Sequence, residues 1–137
     1  TEDLPEEHNT ITIDPVLTDS DDIPAPKATY RVGDNTSKML DHGVARATEV
    51  LEAAGAREVT VNRIPKIGGW HLMGTARTGT DPGRSVVDTW GRAHDVPNLF
   101  LVDGSVLVTS GAVNVTSTIQ AIALRTADYI KRTRRQL

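Results

Sequence analysis

Two polar residues stand where a folded chain tends to expose chemistry: His71, inside a run rich in glycine, and Asn114, just ahead of an amphipathic stretch. A histidine suits proton transfer, because an unperturbed imidazole with a pKa of about 6.5 is mostly neutral at pH 7 and ready to accept a proton. Asn114 precedes the start of a helix. The N–H groups and positive dipole end of such a start stabilise a phosphate, a carboxylate or an anionic cofactor ring. Asp103 follows the apolar run Leu99-Phe100-Leu101-Val102, at the carboxyl end of an expected buried strand, where α/β sheets place ligands. Strand end and helix start together outline a pocket.

Each residue also has a purely structural reading. From spacing alone His71 after glycine and tryptophan is more often a loop or core histidine than a base, Asn114 is more often a cap or turn residue, and Asp103-Gly104 reads equally as a turn. Other catalytic classes find less support. Asp103-Gly104-Ser105-Val106-Leu107 is not the G-x-S-x-G elbow of a serine hydrolase. The glycines at 68, 69, 74, 79, 83 and 91 fit neither the phosphate-binding pattern G-x-x-x-x-G-K-[ST] nor G-x-G-x-x-G between strand and helix. His8, His42, His71 and His94 lack the paired spacing of zinc ligands.

The surrounding elements follow from periodicity. Residues His8 to Pro15 alternate Ile11 and Ile13 with polar neighbours and predict a half-buried strand. The acidic, proline-bearing stretch Thr18 to Pro26 reads as an exposed loop, followed by a second extended segment over Lys27 to Val32. From Asp34 or Thr36 the period becomes helical, with Leu40, Val44, Ala47, Leu51 and Ala54 forming one stripe and Gly55 suited to end it in the left-handed region. Arg57 to Ile64 alternates again and predicts a third strand, with Val59 and Val61 on one face. Pro65 to Asp95 shows little periodicity, and a connection of that length is unusual unless it is functional. Asn98 to Val102 predicts a short buried strand. A last helix is expected to open with a capping box of Ser117 and Gln120, and to present Ile119, Ile122, Ala123, Thr126 and Ile130 on one face.

The 137 residues allow one domain with a modest core, and the composition is ordinary for a soluble globular protein; the location stays open, with the cytoplasm slightly favoured. A net charge of -3 argues against nucleic acid or an anionic membrane as the main partner. Lys131, Arg132, Arg134 and Arg135 form a basic cluster, but at a helix C-terminus such charges complement the dipole. No cysteine is present, so disulfides, thiolate nucleophiles and Cys-ligated metals are excluded, and no metal site is expected. No apolar run approaches the roughly 20 residues that span a bilayer. Without an initiator Met, the chain reads as an excised or processed piece.

The order and wording of the second half carry more. Gly68-Gly69-Trp70-His71-Leu72-Met73-Gly74-Thr75-Ala76-Arg77, then Ser85-Val86-Val87-Asp88, then Asn98 to Ser105, then Thr109 to Ile122, resemble the C-terminal signature of the glucose-methanol-choline oxidoreductases. The resemblance implies an α+β / α/β architecture. Residues 1–66 belong to a substrate-domain portion, 67–97 to the catalytic His segment and a connection, and 98–137 to the last strand and helix of an FAD-binding domain.

The same resemblance implies a flavoprotein that oxidises an alcohol, a sugar or a polyol by hydride transfer to flavin N5. His71 would be the base and Asn114 would orient the substrate oxygen. Asp103, Gly104, Asn114, Val115 and Thr116 would adjoin the FAD, the last two at the helix start near the flavin N1 and O2 edge. Two positions depart from the pattern: Val115 stands where the family commonly has Pro, and Thr78 where it commonly has Met. The family's nucleotide fingerprint has no counterpart here, so the resemblance implies that the isolated chain binds FAD poorly and needs an N-terminal FAD-binding portion, from the same precursor or a separate chain. An inactive fragment or interaction module of the same fold is the alternative.

Overall fold

A computed structural model describes residues 2–63, 70–109, 111 and 113–135. Its regular elements are a two-stranded antiparallel sheet, β1 (Thr10–Thr18) and β2 (Pro24–Thr29), and two helices, α1 (Asp34–Ala53) and α2 (Thr116–Thr133), with a 3₁₀ turn over Gly104–Val106. The chain is therefore a mixed α+β structure.

Strand β1 pairs Thr10 with Thr29 through Ile13 with Pro26, then shifts register before Thr18 meets Pro24. Asp14 makes the shift: its carboxylate accepts the N–H groups of Val16 and Leu17, both at 2.9 Å, so these donors leave the ladder. Asp19 closes the hairpin in the same way, accepting from Asp21 and Ile23. The expected exposed loop over Thr18 to Pro26 thus ends early, because Pro24 and Pro26 lie in β2. A two-stranded sheet is all edge, and edges tolerate the proline that a central strand rejects.

Helix α1 and its stop match expectation. Gly55 takes φ +91°, and Ala56 donates back to the Leu51 carbonyl at 3.0 Å, the 6→1 bond of a Schellman ending. Leu40 and Val44 of the stripe are half-buried, whereas Leu51 and Ala54 are exposed. The third strand does not form over residues 57–63; Ile64 lies outside the described residues. Arg63 instead runs back to α1, donating to the Asp41 carboxylate and to the Ser37 carbonyl and hydroxyl at 2.7–2.8 Å. A strand is stable only beside a partner ladder, and here the side chain finds a helix.

The buried apolar residues Ala76, Val87, Ala93, Val106 and Val115 all lie between residues 76 and 115, and the two buried polar side chains are Thr36 of α1 and Thr126 of α2. Residues 70–109 form a hydrogen-bonded ribbon of turns and isolated bridges, closed by α2. Gly91 turns the ribbon at φ +75°, with Asp88 accepting the Trp90 and Arg92 N–H groups. Trp90 stacks on Tyr129 of α2 at 4.7 Å between ring centres, Arg125 covers the indole at 3.9 Å, and Thr126 donates to the Trp90 carbonyl at 2.9 Å. The expected buried strand over Asn98–Val102 is absent. Phe100 makes one bridge to Arg92 and Leu99 is exposed, because no neighbouring strand flanks the segment among the described residues.

Helix α2 presents the expected stripe, with Thr126 buried and Ile119, Ile122, Ala123 and Ile130 half-buried. Its capping box does not form. The helix begins at Thr116 with Val115 as N-cap and no side-chain cap, so Ser117 falls inside the first turn. Lys131 and Arg132 occupy the last turn as the dipole argument expects. No helix of the described residues is long and apolar enough to cross a membrane.

Candidate active-site cleft

His71 and Asn114 line one open cleft of about 830 Å³. Trp70, Leu72, Met73, Val108 and Val113 supply apolar wall, while Glu2, Asp3 and Glu6 from the N-terminal segment and Arg77 and Arg84 from the ribbon supply polar wall. Both predicted residues are exposed to that space. His71 holds φ +59°, a left-handed conformation uncommon for a residue with a Cβ. Such backbone persists where surrounding structure over-determines it, and it clusters at functional sites.

The other predicted residues, Asp103, Gly104, Val115 and Thr116, do not line this cleft. Asp103 caps the 3₁₀ turn, its carboxylate accepting the Ser105 N–H at 2.7 Å, so the turn reading of Asp103-Gly104 describes its local geometry. Hydrogen bonds from the Ser105 hydroxyl and then its N–H hold this carboxyl below its usual 3.8. Gly104 lies against the His71 segment: a Cβ built on it would meet the Leu72 carbonyl oxygen at 2.9 Å and Ile119 Cδ1 at 3.4 Å. Val115 is buried at 5% exposure, and Thr116 is exposed at the helix start.

Two more bonds tie the ribbon to this turn, Ala76 N–H to the Ser105 carbonyl and Thr78 N–H to the Val106 carbonyl, both at 3.0 Å. Gly74, at φ +82°, passes the Leu107 carbonyl oxygen with a Cβ distance of 3.5 Å. His71 is thereby set three residues before a segment stitched to the 103–108 turn, and Asn114 follows that turn into α2. Two blocks distant in sequence meet at one cleft.

Several residues near the cleft gave no functional signal in the sequence. Tyr30 donates to Asp3, which also accepts from Thr36 at 2.7 Å, and this network anchors the N-terminal segment on α1. Burial, and then the Asp3 hydrogen bond and charge, push the Tyr30 phenol up to about 12. Ser85 donates to the Asp81 carbonyl at 2.7 Å, leaving its oxygen to accept from His94 Nε2 at 2.9 Å. Arg77 and Ser85 lie within the blocks that carry the resemblance, whereas His94 and the N-terminal acids have no motif to mark them. Among the described residues no group of three or more His, Asp or Glu side chains gathers as a metal site.

The GMC oxidoreductase family, through its C-terminal region, matches residues 5–123. The chain belongs to this family. It is 47% identical over 135 residues to a 2-methyl-1,2-propanediol dehydrogenase of Mycolicibacterium austroafricanum, covering 96% of this chain and 24% of that protein. It is 42% identical over 113 residues to a 6'''-hydroxyparomomycin C oxidase of Streptomyces lividus, covering 82% of this chain and 21% of the relative. It is also 36% identical over 127 residues to the fructose dehydrogenase large subunit of Gluconobacter japonicus, covering 93% and 23%. The GMC chain thus spans about a quarter of the length of these curated relatives. They are dehydrogenases and oxidases named for alcohols and sugars, which makes this an oxidoreductase-family chain.

Proposed function

We propose that this chain supplies the proton-transfer and substrate-orienting residues of an FAD-dependent GMC enzyme that oxidises a small alcohol, sugar or polyol. The observation that supports the reading most directly is the common cleft of His71 and Asn114. The chemistry that FAD supplies when bound is hydride acceptance at flavin N5. The donor set of this chain suits such a group: α2 starts without a side-chain cap, so its first-turn N–H groups and dipole end are available to an electron-rich ring edge. Thr116 stands at that start, next to Asn114 and Val115.

Within this reading His71 accepts the substrate hydroxyl proton, and Asn114, which cannot act as a base, donates to the substrate oxygen and fixes its direction. Trp70, Leu72 and Val113, all exposed, offer an apolar surface along the cleft for the carbon skeleton of the substrate. Asp103 and Gly104 contribute the turn beside the cofactor. Residues 1–66 belong to the substrate side, 67–97 to the His segment, and 98–137 to the FAD side, with an N-terminal portion of the same precursor or a separate chain holding the rest of FAD. The diol and fructose in the relatives' names support an alcohol, sugar or polyol as the substrate class.

The test is His71→Ala in the full-length enzyme, read by stopped-flow flavin reduction. General-base loss predicts a fall of about 10²–10⁴ with the flavin spectrum retained. Unchanged reduction removes His71 from the chemistry and leaves a binding module of the same fold.

A further inference from the structure

We infer that Gly104 is a positioning residue for His71: the face where its Cβ would stand is occupied by the backbone that carries the imidazole. The inference rests on the reading of His71 as base. A Cβ at residue 104 would lie 2.9 Å from the Leu72 carbonyl oxygen, 3.4 Å from Ile119 Cδ1 and 3.7 Å from Met73 Cγ. The first contact is with main chain one residue after His71, and it is closer than real Cβ atoms come to an oxygen. Ile119 can move by a rotamer change. The Leu72 carbonyl can move only by shifting the segment.

That segment has little freedom to absorb a shift. Downstream, Ala76 and Thr78 are hydrogen-bonded to Ser105 and Val106 at 3.0 Å, and Gly74 is held at φ +82° against the Leu107 carbonyl. Leu72 therefore yields toward His71, whose own φ of +59° already sits in a narrow well. The Asp103 carboxylate holds the far side by capping Ser105. The 103–106 turn thus acts as a ruler. Its thickness at Gly104 sets the depth of Leu72, and Leu72 sets the direction of the ring.

An added methyl would move Leu72 by about half an ångström, at the edge of the tolerance for a catalytic group. Since a 1 Å misplacement can cost about 10²-fold, Gly104→Ala should slow flavin reduction by about tenfold. The experiment is a cycle in the full-length enzyme: Gly104→Ala, His71→Ala and the double variant, with FAD content from the visible spectrum and histidine ring resonances from NMR. The expected result is a tenfold loss for Gly104→Ala with FAD retained, a shifted His71 resonance, and no further loss when it is added to His71→Ala.

Loss of FAD, an equal slowing in the His71→Ala background, or an unmoved His71 resonance would each overturn the inference. If His71→Ala alone left the rate unchanged, the proposed base would fail, while the His71 resonance would still decide whether Gly104 sets its position. Should Gly104→Ala not fold, Gly104→Ala with Ile119→Val removes the Cδ1 contact, keeps the Leu72 contact, and is read by the same outcomes.

Discussion

Gly91→Ala tests whether close main-chain packing holds the ribbon that carries the cleft. Gly91 sits at φ +75°, and a Cβ there would lie 2.5 Å from the Leu101 carbonyl oxygen and 3.5 Å from Thr126 Oγ1. Two contributions add. A left-handed conformation disfavours an L-residue by about 1–2 kcal/mol. Forcing a methyl against packed backbone costs a further 1–3 kcal/mol or so, here by disturbing the Leu101 N–H to Gly91 carbonyl bond of 2.8 Å. Gly55→Ala is the control, because Gly55 holds φ +91° with nothing within 4 Å of its would-be Cβ. It carries the conformational cost alone, and the unfolded-state gain of alanine over glycine cancels between the two variants. The steric difference of about 1–3 kcal/mol corresponds to roughly 5- to 150-fold faster local opening. Amide hydrogen exchange at Leu101 and Ala93 in the full-length protein, compared with exchange at Ala56 in the control, measures it. Equal destabilisation of the two sites, within about 0.5 kcal/mol, would refute the packing argument.

The Asp103 turn and the aromatic clamp give two further expectations. The Asp103 carboxyl is lowered from 3.8, so its contribution is present above that unfolded value and is lost as pH falls through the still lower folded one. The Ser105 amide protection factor, corrected for the intrinsic pH dependence of exchange, should stay flat down to about pH 4 and fall below it, and a fall already above about pH 5 would contradict the assignment. Arg125→Met keeps the stem but removes the cation over Trp90 and the bond to the Thr89 carbonyl. A loss of about 1–2 kcal/mol is expected from urea unfolding, with altered Trp90 emission, and no change in either would remove Arg125 from the clamp.

What the sequence made legible was local. Helix α1, its Gly55 stop and the α2 stripe each depend on spacing within one segment and appear in place, although only Leu40 and Val44 of the α1 stripe are half-buried. The failures share a cause in partners. Arg57 to Ile64 and Asn98 to Val102 alternate or cluster like strands, but a strand needs a neighbour, and the described residues offer Arg63 a helix and Phe100 a single bridge. Ser117 and Gln120 satisfy the capping-box pattern, yet the N-cap is Val115, two residues before Ser117, so the pattern is out of phase with the helix start. At the cleft, His71 and Asn114 were readable from the order of blocks, whereas Arg77, Arg84 and the N-terminal acids meet them only through the fold.

The buried apolar side chains of the described residues lie in the second half of the chain, which also carries His71. Every buried apolar side chain among the described residues, from Ala76 to Val115, belongs to the ribbon, the 3₁₀ turn or the start of α2, and Thr126 ties that unit to the helix. Ile11, Ile13, Val16 and Ile23 of the hairpin and Val50 and Leu51 of α1 are exposed instead. Apolar surface of that extent marks a face built to be covered. The matched relatives are about four times longer than this chain, and we propose that residues outside the matched quarter cover this face. The reading proposed above then divides the work physically. The N-terminal segment already supplies cleft wall through Glu2, Asp3 and Glu6, while the proposed base, His71, is carried by the ribbon.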